Sequence, residues 1–108
     1  MTKIIIRTQF KAFHYWKDAP DEVAFLRHPH RHIFHVEAQI PVNDDRELEF
    51  FIVKRELDAL LAERWGGKTF SFSCEKIASD IKLVIDPKYC VYSSISVFED
   101  GENGAIVY

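Results

Sequence analysis

Four of the five histidines fall within Arg27-His28-Pro29-His30-Arg31-His32-Ile33-Phe34-His35-Val36-Glu37, and the fifth, His14, lies just upstream. After Pro29 the pattern alternates as a β-strand does. His30, His32, Phe34, Val36, Ala38, Ile40 and Val42 share one face, and Arg31, Ile33, His35, Glu37 and Gln39 the other. Histidines at i and i+2 of a strand point the same way and can share one metal ion without distorting the backbone. If His14 reaches the same ion across a hairpin, three neutral imidazoles leave a fourth position open, the arrangement of a catalytic zinc site. Two plainer readings compete with it. Such histidines can form a surface cluster with incidental affinity for nickel, and a single histidine on an apolar face is commonly a packed, hydrogen-bonded residue.

The elements that must position these side chains follow from periodicity. Residues 3 to 14 alternate as a first strand, with Ile4, Ile6, Thr8, Phe10, Ala12 and His14 on one face. Trp16 to Arg27 contains Pro20 and several charges and reads as a loop with one helical turn around Glu22 to Leu26. A second strand is expected over Arg31 to Val42, a turn at Asn43-Asp44-Asp45, and a third strand over Arg46 to Phe50. Val53, Leu57, Leu60, Leu61 and Trp65 recur at helical spacing, predicting a helix over Ile52 to Trp65 that Gly66-Gly67 stops. Ser73 is placed to N-cap a second helix with Glu75 in its first turn, striped by Ile77, Ile81, Val84 and Ile85 and closed by Pro87. Tyr89 to Glu99 reads as a strand, and a last one runs from Ala105 to Tyr108. The expected fold is a single α+β domain over residues 1–108, an antiparallel sheet with both helices on one face.

Composition narrows the function classes. A chain of 108 residues with 47% hydrophobic content can build one core, yet it is small enough to gain from burying more surface in an oligomer. The net charge of −3 gives no basic footprint for nucleic acid. Cys74 and Cys90 suggest no disulfide framework. No apolar run approaches the roughly 18 residues of a membrane span, and the N-terminal run is too short for a signal peptide. A soluble cytoplasmic protein without a membrane partner is expected.

Five stretches in collinear order resemble the 6-pyruvoyltetrahydropterin synthase and 6-carboxytetrahydropterin synthase family. Phe10-Lys11-Ala12-Phe13-His14 is similar to its F-x-A-x-H, and His30 to Glu37 to its H-G-H-N-Y-x-V-E. Leu48-Glu49-Phe50 followed by Lys54 resembles V-x-D-F-x-x-L-K before the first helix. Ser73-Cys74-Glu75-Lys76-Ile77-Ala78 resembles T-A/S-E-N-I/L-A at the start of the second. Val97-Phe98-Glu99 stands where the family has V-x-V-x-E-T. The resemblance implies a tunnelling fold (T-fold), whose sheets join into an oligomeric β-barrel, with trimers stacked into a hexamer. It implies Zn2+ held by His14, His30 and His32, and a reduced pterin such as dihydroneopterin triphosphate held by Glu99, with Ser73, Cys74 and Glu75 lining the pocket. The implied activity is lyase-type chemistry of the kind found in queuosine (7-deazaguanine) biosynthesis. A guanine-type ligand is open as well, because guanine and pterin both present an N–H and an amino group on one edge. On its own, a glutamate at a strand end before Asp-Gly is ordinarily solvated.

The departures bear on catalysis. Leu26 stands four residues before His30, where the family carries its catalytic cysteine, and the family's Asp-His pair after the first helix is missing, since no histidine follows His35. A positioned general base contributes typically ~100- to 10,000-fold in rate. Candidates to replace it are His28 first, then Glu22 and Cys74. Arg31 replaces the family's glycine but faces away from the metal on a strand, and Asp100 stands where the family has threonine. His35 and Cys90 read as structural.

Overall fold

The computed structural model describes residues 1–108. Strands β1 (Thr2–His14) and β2 (His30–Val42) form a long antiparallel pair in register from Thr2↔Val42 to His14↔His30. The chain between them carries a kinked 3-10 segment, Asp21–Arg27. Helix α1 (Phe50–Arg64) is followed by β3 (Thr69–Phe70), helix α2 (Cys74–Tyr89), β4 (Ser94–Glu99) and β5 (Gly104–Val107). The sheet order is β3-β1-β2-β4-β5.

The inward faces are those that alternation marks. Ile6, Phe10 and Ala12 of β1 and Phe34, Val36, Ala38 and Ile40 of β2 are buried, together with Val53, Leu57 and Leu61 of α1 and Ile77, Ile81 and Ile85 of α2. They belong to one core cluster, so both helices cover the same face of the sheet. Each fully buried aliphatic or aromatic side chain there contributes about 1.5–3 kcal/mol. Ser73 caps α2 as expected, its Oγ accepting from Lys76 N at 3.1 Å.

Four expectations are corrected. Arg46 to Phe50 is no strand: Arg46 adopts a left-handed φ of 58°, and Glu49 caps α1 by accepting from the N–H groups of Phe51 and Ile52. The first helix accordingly starts at Phe50. The sheet is mixed rather than antiparallel, because Thr69–Phe70 pairs parallel to β1. A two-residue strand carries too few residues for a period-2 pattern, and only tertiary pairing reveals it. Pro87 sits inside α2, which runs on to Tyr89 and ends at Cys90 in the left-handed conformation. Proline leaves the carbonyl four residues earlier without its helical partner, and that residue is Leu83, on an exposed turn where water can serve. Residues 89 to 93 therefore belong to the helix end and a turn, tied down by Asp86 accepting from Ser93 N and Oγ, and β4 starts at Ser94.

No helix is long and apolar enough to cross a membrane.

A candidate metal centre

The register explains why four side chains meet. Pairing His14↔His30 and Ala12↔His32 puts the three imidazoles on the inward face at one end of the β1–β2 pair, just beyond Phe10↔Phe34. Pairing Phe34↔Glu99 brings the end of β4 to the same height. The rings of His30 and His32 lie 4.7 Å apart, and those of His14 and His30 5.4 Å. Beneath them are Phe34 and Phe70, whose rings stand 6.1 and 6.0 Å from that of His14. The site is a continuation of the core's inward face in which histidine replaces aliphatic side chains.

Each histidine has one buried nitrogen without a partner, and in His30 and His32 the other nitrogen is committed. His30 Nδ1 is 2.8 Å from the His28 carbonyl oxygen, and His32 Nδ1 is 2.7 Å from Asp100 Oδ2. Against the effect of burial, the Phe72 backbone raises the His14 pKa slightly. His14 Nδ1, His30 Nε2 and His32 Nε2 are left buried and without a hydrogen bond. One ring nitrogen from each histidine and a Glu99 carboxylate oxygen all lie within 4.8 Å of one another.

His32 Nε2 is 2.9 Å from Glu99 Oε2, yet the geometry makes no hydrogen bond. A neutral imidazole that donates Nδ1–H to Asp100 presents a lone pair at Nε2. A lone pair facing a carboxylate oxygen at that distance is repulsive unless a cation stands between them. Buried polar atoms without partners are uncommon, and a cluster of three calls for a shared one. Tetrahedral zinc at about 2.0–2.1 Å from each ligand places ligand atoms ~3.3 Å apart, so the group needs side-chain adjustments of an ångström or so and no backbone change. An N3O donor set of neutral imidazoles and one carboxylate fits zinc and neighbouring divalent transition metals.

Electrostatics favour the metal-binding form of His14. Burial lowers its pKa below 6.5, the carboxylate of Glu99 opposes this, and the neighbouring imidazoles of His30 and His32 add to the lowering. Asp100 has its pKa lowered mainly by the hydrogen bond from Ile33 N and then by the one from His32, so it is a carboxylate at neutral pH.

A cleft of about 590 Å³ opens beside the cluster. His14 and Glu99 form one wall. Ser73, Cys74 and Glu75, from the start of α2, form another with Leu26 and Trp16. The structure thus brings together every substrate-side residue expected from the sequence. It also places the Leu26 side chain on the pocket wall, where an acid–base residue is expected and an aliphatic one stands. Cys74 does not substitute for it: burial, reinforced by Glu99 and Glu75, pushes its thiol up to about 12. His28 is exposed and absent from the pocket lining, and it meets the site through its backbone carbonyl. Glu22 is exposed as well and lines no part of the cleft. A larger cleft of about 950 Å³ at the other end of the sheet contains no histidine or cysteine.

Asp100 is the residue that sequence reasoning undervalued, having noted it only as a replacement for threonine. The usable signal was its place directly after Glu99 in Glu-Asp-Gly, at the start of the turn that folds the chain back against β4 as β5. Comparison with known proteins adds no assignment. A scan of protein-family models finds none that matches the chain, and a search of curated proteins finds no match.

Proposed function

We propose that this chain is a zinc-binding T-fold protein of the 6-pyruvoyl/6-carboxytetrahydropterin synthase kind, acting as a lyase on a reduced pterin of the dihydroneopterin triphosphate type. The single observation that carries this reading is the convergence of three partnerless imidazole nitrogens with Glu99 at the edge of a cleft. The matching order of motifs along the chain supports the family. The α+β architecture, with both helices on one face of a curled sheet, is compatible with a T-fold subunit whose other face lines a barrel formed with further copies.

His14, His30 and His32 would hold the ion, which supplies Lewis acidity to a substrate oxygen and so makes the neighbouring C–H acidic. Glu99, released from the ion when the substrate oxygen takes the fourth position, would accept from the N–H edge of the pterin in a bidentate, charge-assisted pair. The exposed carboxylate of Glu75 and the capped first turn of α2 complete the polar wall. Turnover is read by anaerobic incubation of the zinc-loaded protein with dihydroneopterin triphosphate. Product above the zinc-only background is expected, and its absence would sink the enzyme reading.

A second reading is favoured by a specific observation: the wall that should carry the general base holds Leu26 and a Cys74 thiol with its pKa raised to about 12. In that case the protein binds a pterin or guanine-type ligand without converting it. Tight binding without product, abolished in Glu99→Gln, is its signature. Native mass spectrometry of the purified chain reports ion, ligand and oligomer together, with a hexamer expected.

A further inference from the structure

Asp100, the first residue past β4, directs everything it has toward two consecutive residues of β2. Its Oδ1 accepts from Ile33 N at 2.9 Å, and its Oδ2 lies 2.7 Å from His32 Nδ1. Its own N–H donates to the Ile33 carbonyl at 2.7 Å. These contacts continue the β2–β4 association beyond the last ladder pair, Phe34↔Glu99. The residue holds a left-handed φ of 55°, a conformation that Asp and Asn adopt more readily than other side chains.

We propose that Asp100 is a positioning residue for the metal centre, fixing His32 in the tautomer that turns an unprotonated Nε2 toward the ion. The inference rests on the metal reading of the cluster. An ionised carboxylate only accepts hydrogen bonds, so the shared proton belongs to His32 Nδ1 and the lone pair to Nε2. Nε2 is the atom left without a partner. The second bond, from Ile33 N to Oδ1, holds the carboxylate in place and keeps Asp100 from swinging into the ligand set itself. His30 receives the same service from a neutral carbonyl, that of His28. A charged acceptor makes the stronger hydrogen bond and the more basic ligand, so His32 is the firmer of the two strand ligands.

The test compares the whole chain with Asp100→Asn, which tolerates the left-handed backbone and still accepts from Ile33 N. Zinc affinity is measured by competition with a chromophoric chelator. The His32 tautomer is read in the metal-free protein by long-range 1H–15N spectra. The wild type is expected to show Nδ1–H, and the variant to lose that preference and bind zinc about 10- to 100-fold more weakly, the usual effect of removing such a partner. A purely structural role would lower the metal-free melting temperature and leave zinc affinity unchanged. Equal affinity in both proteins overturns the role of Asp100 and spares the metal reading. A wild type that binds no zinc overturns both. Should the variant fail to fold, the wild-type tautomer decides, and an Nε2–H form of His32 overturns the proposal.

Discussion

The two walls of the cleft are built to different standards. The strand wall, formed by His14 and Glu99, is backed by His30 and His32, whose outer nitrogens are tied to His28 and Asp100, and the three imidazoles bring their unpartnered nitrogens together. The facing wall holds Leu26 and the buried thiol of Cys74, and neither can accept a proton near neutral pH. Binding and proton transfer make separate demands on a site, and here the geometry meets the first far better than the second. The register that brings the three histidines together is also the register of the core, so the cluster is held in place by the same strand pairing.

Breaking the shared floor should have the largest effect. Phe34 is fully buried under the histidine rings, so Phe34→Ala is expected to cost about 3–5 kcal/mol in a chemical-denaturation series. A cost below about 1 kcal/mol would show that Phe34 is not a close-packed part of the core. Next comes the strand wall itself. His30→Ala removes one of the three imidazoles proposed to hold the ion and should weaken zinc by more than the ~100-fold upper range for an outer partner, measured by chelator competition. Unchanged zinc content in that variant would return the cluster to a packed histidine group.

Sharpening the facing wall is a gain-of-function experiment. Leu26→Cys places a thiol at the cleft, and turnover of dihydroneopterin triphosphate is expected to rise at least ~10-fold, part of what a positioned base contributes. No gain, with ligand binding intact, would mean that Leu26 is not what limits the chemistry. The smallest effect concerns pH. Because His14 has its pKa lowered in the folded chain, the unfolded chain takes up that proton first as pH falls through 6.5. Metal-free protein should therefore lose stability on going from neutral pH to below 6.5, and the loss should end once the folded-state value is passed. Urea midpoints across that range measure it, with His14→Gln expected to flatten the response. A rise in stability on acidification would reverse the assigned sign.

Much of the site was legible because it depends on strand alternation. His30 and His32 share a face by spacing alone, and His14 extends the same face of the neighbouring strand. Ser73 was readable as a cap from its place before a striped helix. Where local signals are weak the reading failed. The Arg46 to Phe50 segment carries a strand-like pattern, but its backbone is spent on a left-handed turn and on the cap of α1. Thr69–Phe70 has no pattern of its own and becomes a strand only against β1. Pro87 signals an end, yet a helix can continue past it where the freed carbonyl lies on an exposed turn.

By itself the sequence determined which side chains point inward, because a period of two leaves no choice of face along a strand. It determined the imidazole donors as well, and hence the class of ion they suit. Only the tertiary structure decided which residue of β4 stands opposite Phe34, and therefore that Glu99 joins the histidines and Asp100 grips His32. Register between strands distant in the chain is set by packing of the whole sheet against its helices, and no local pattern encodes it.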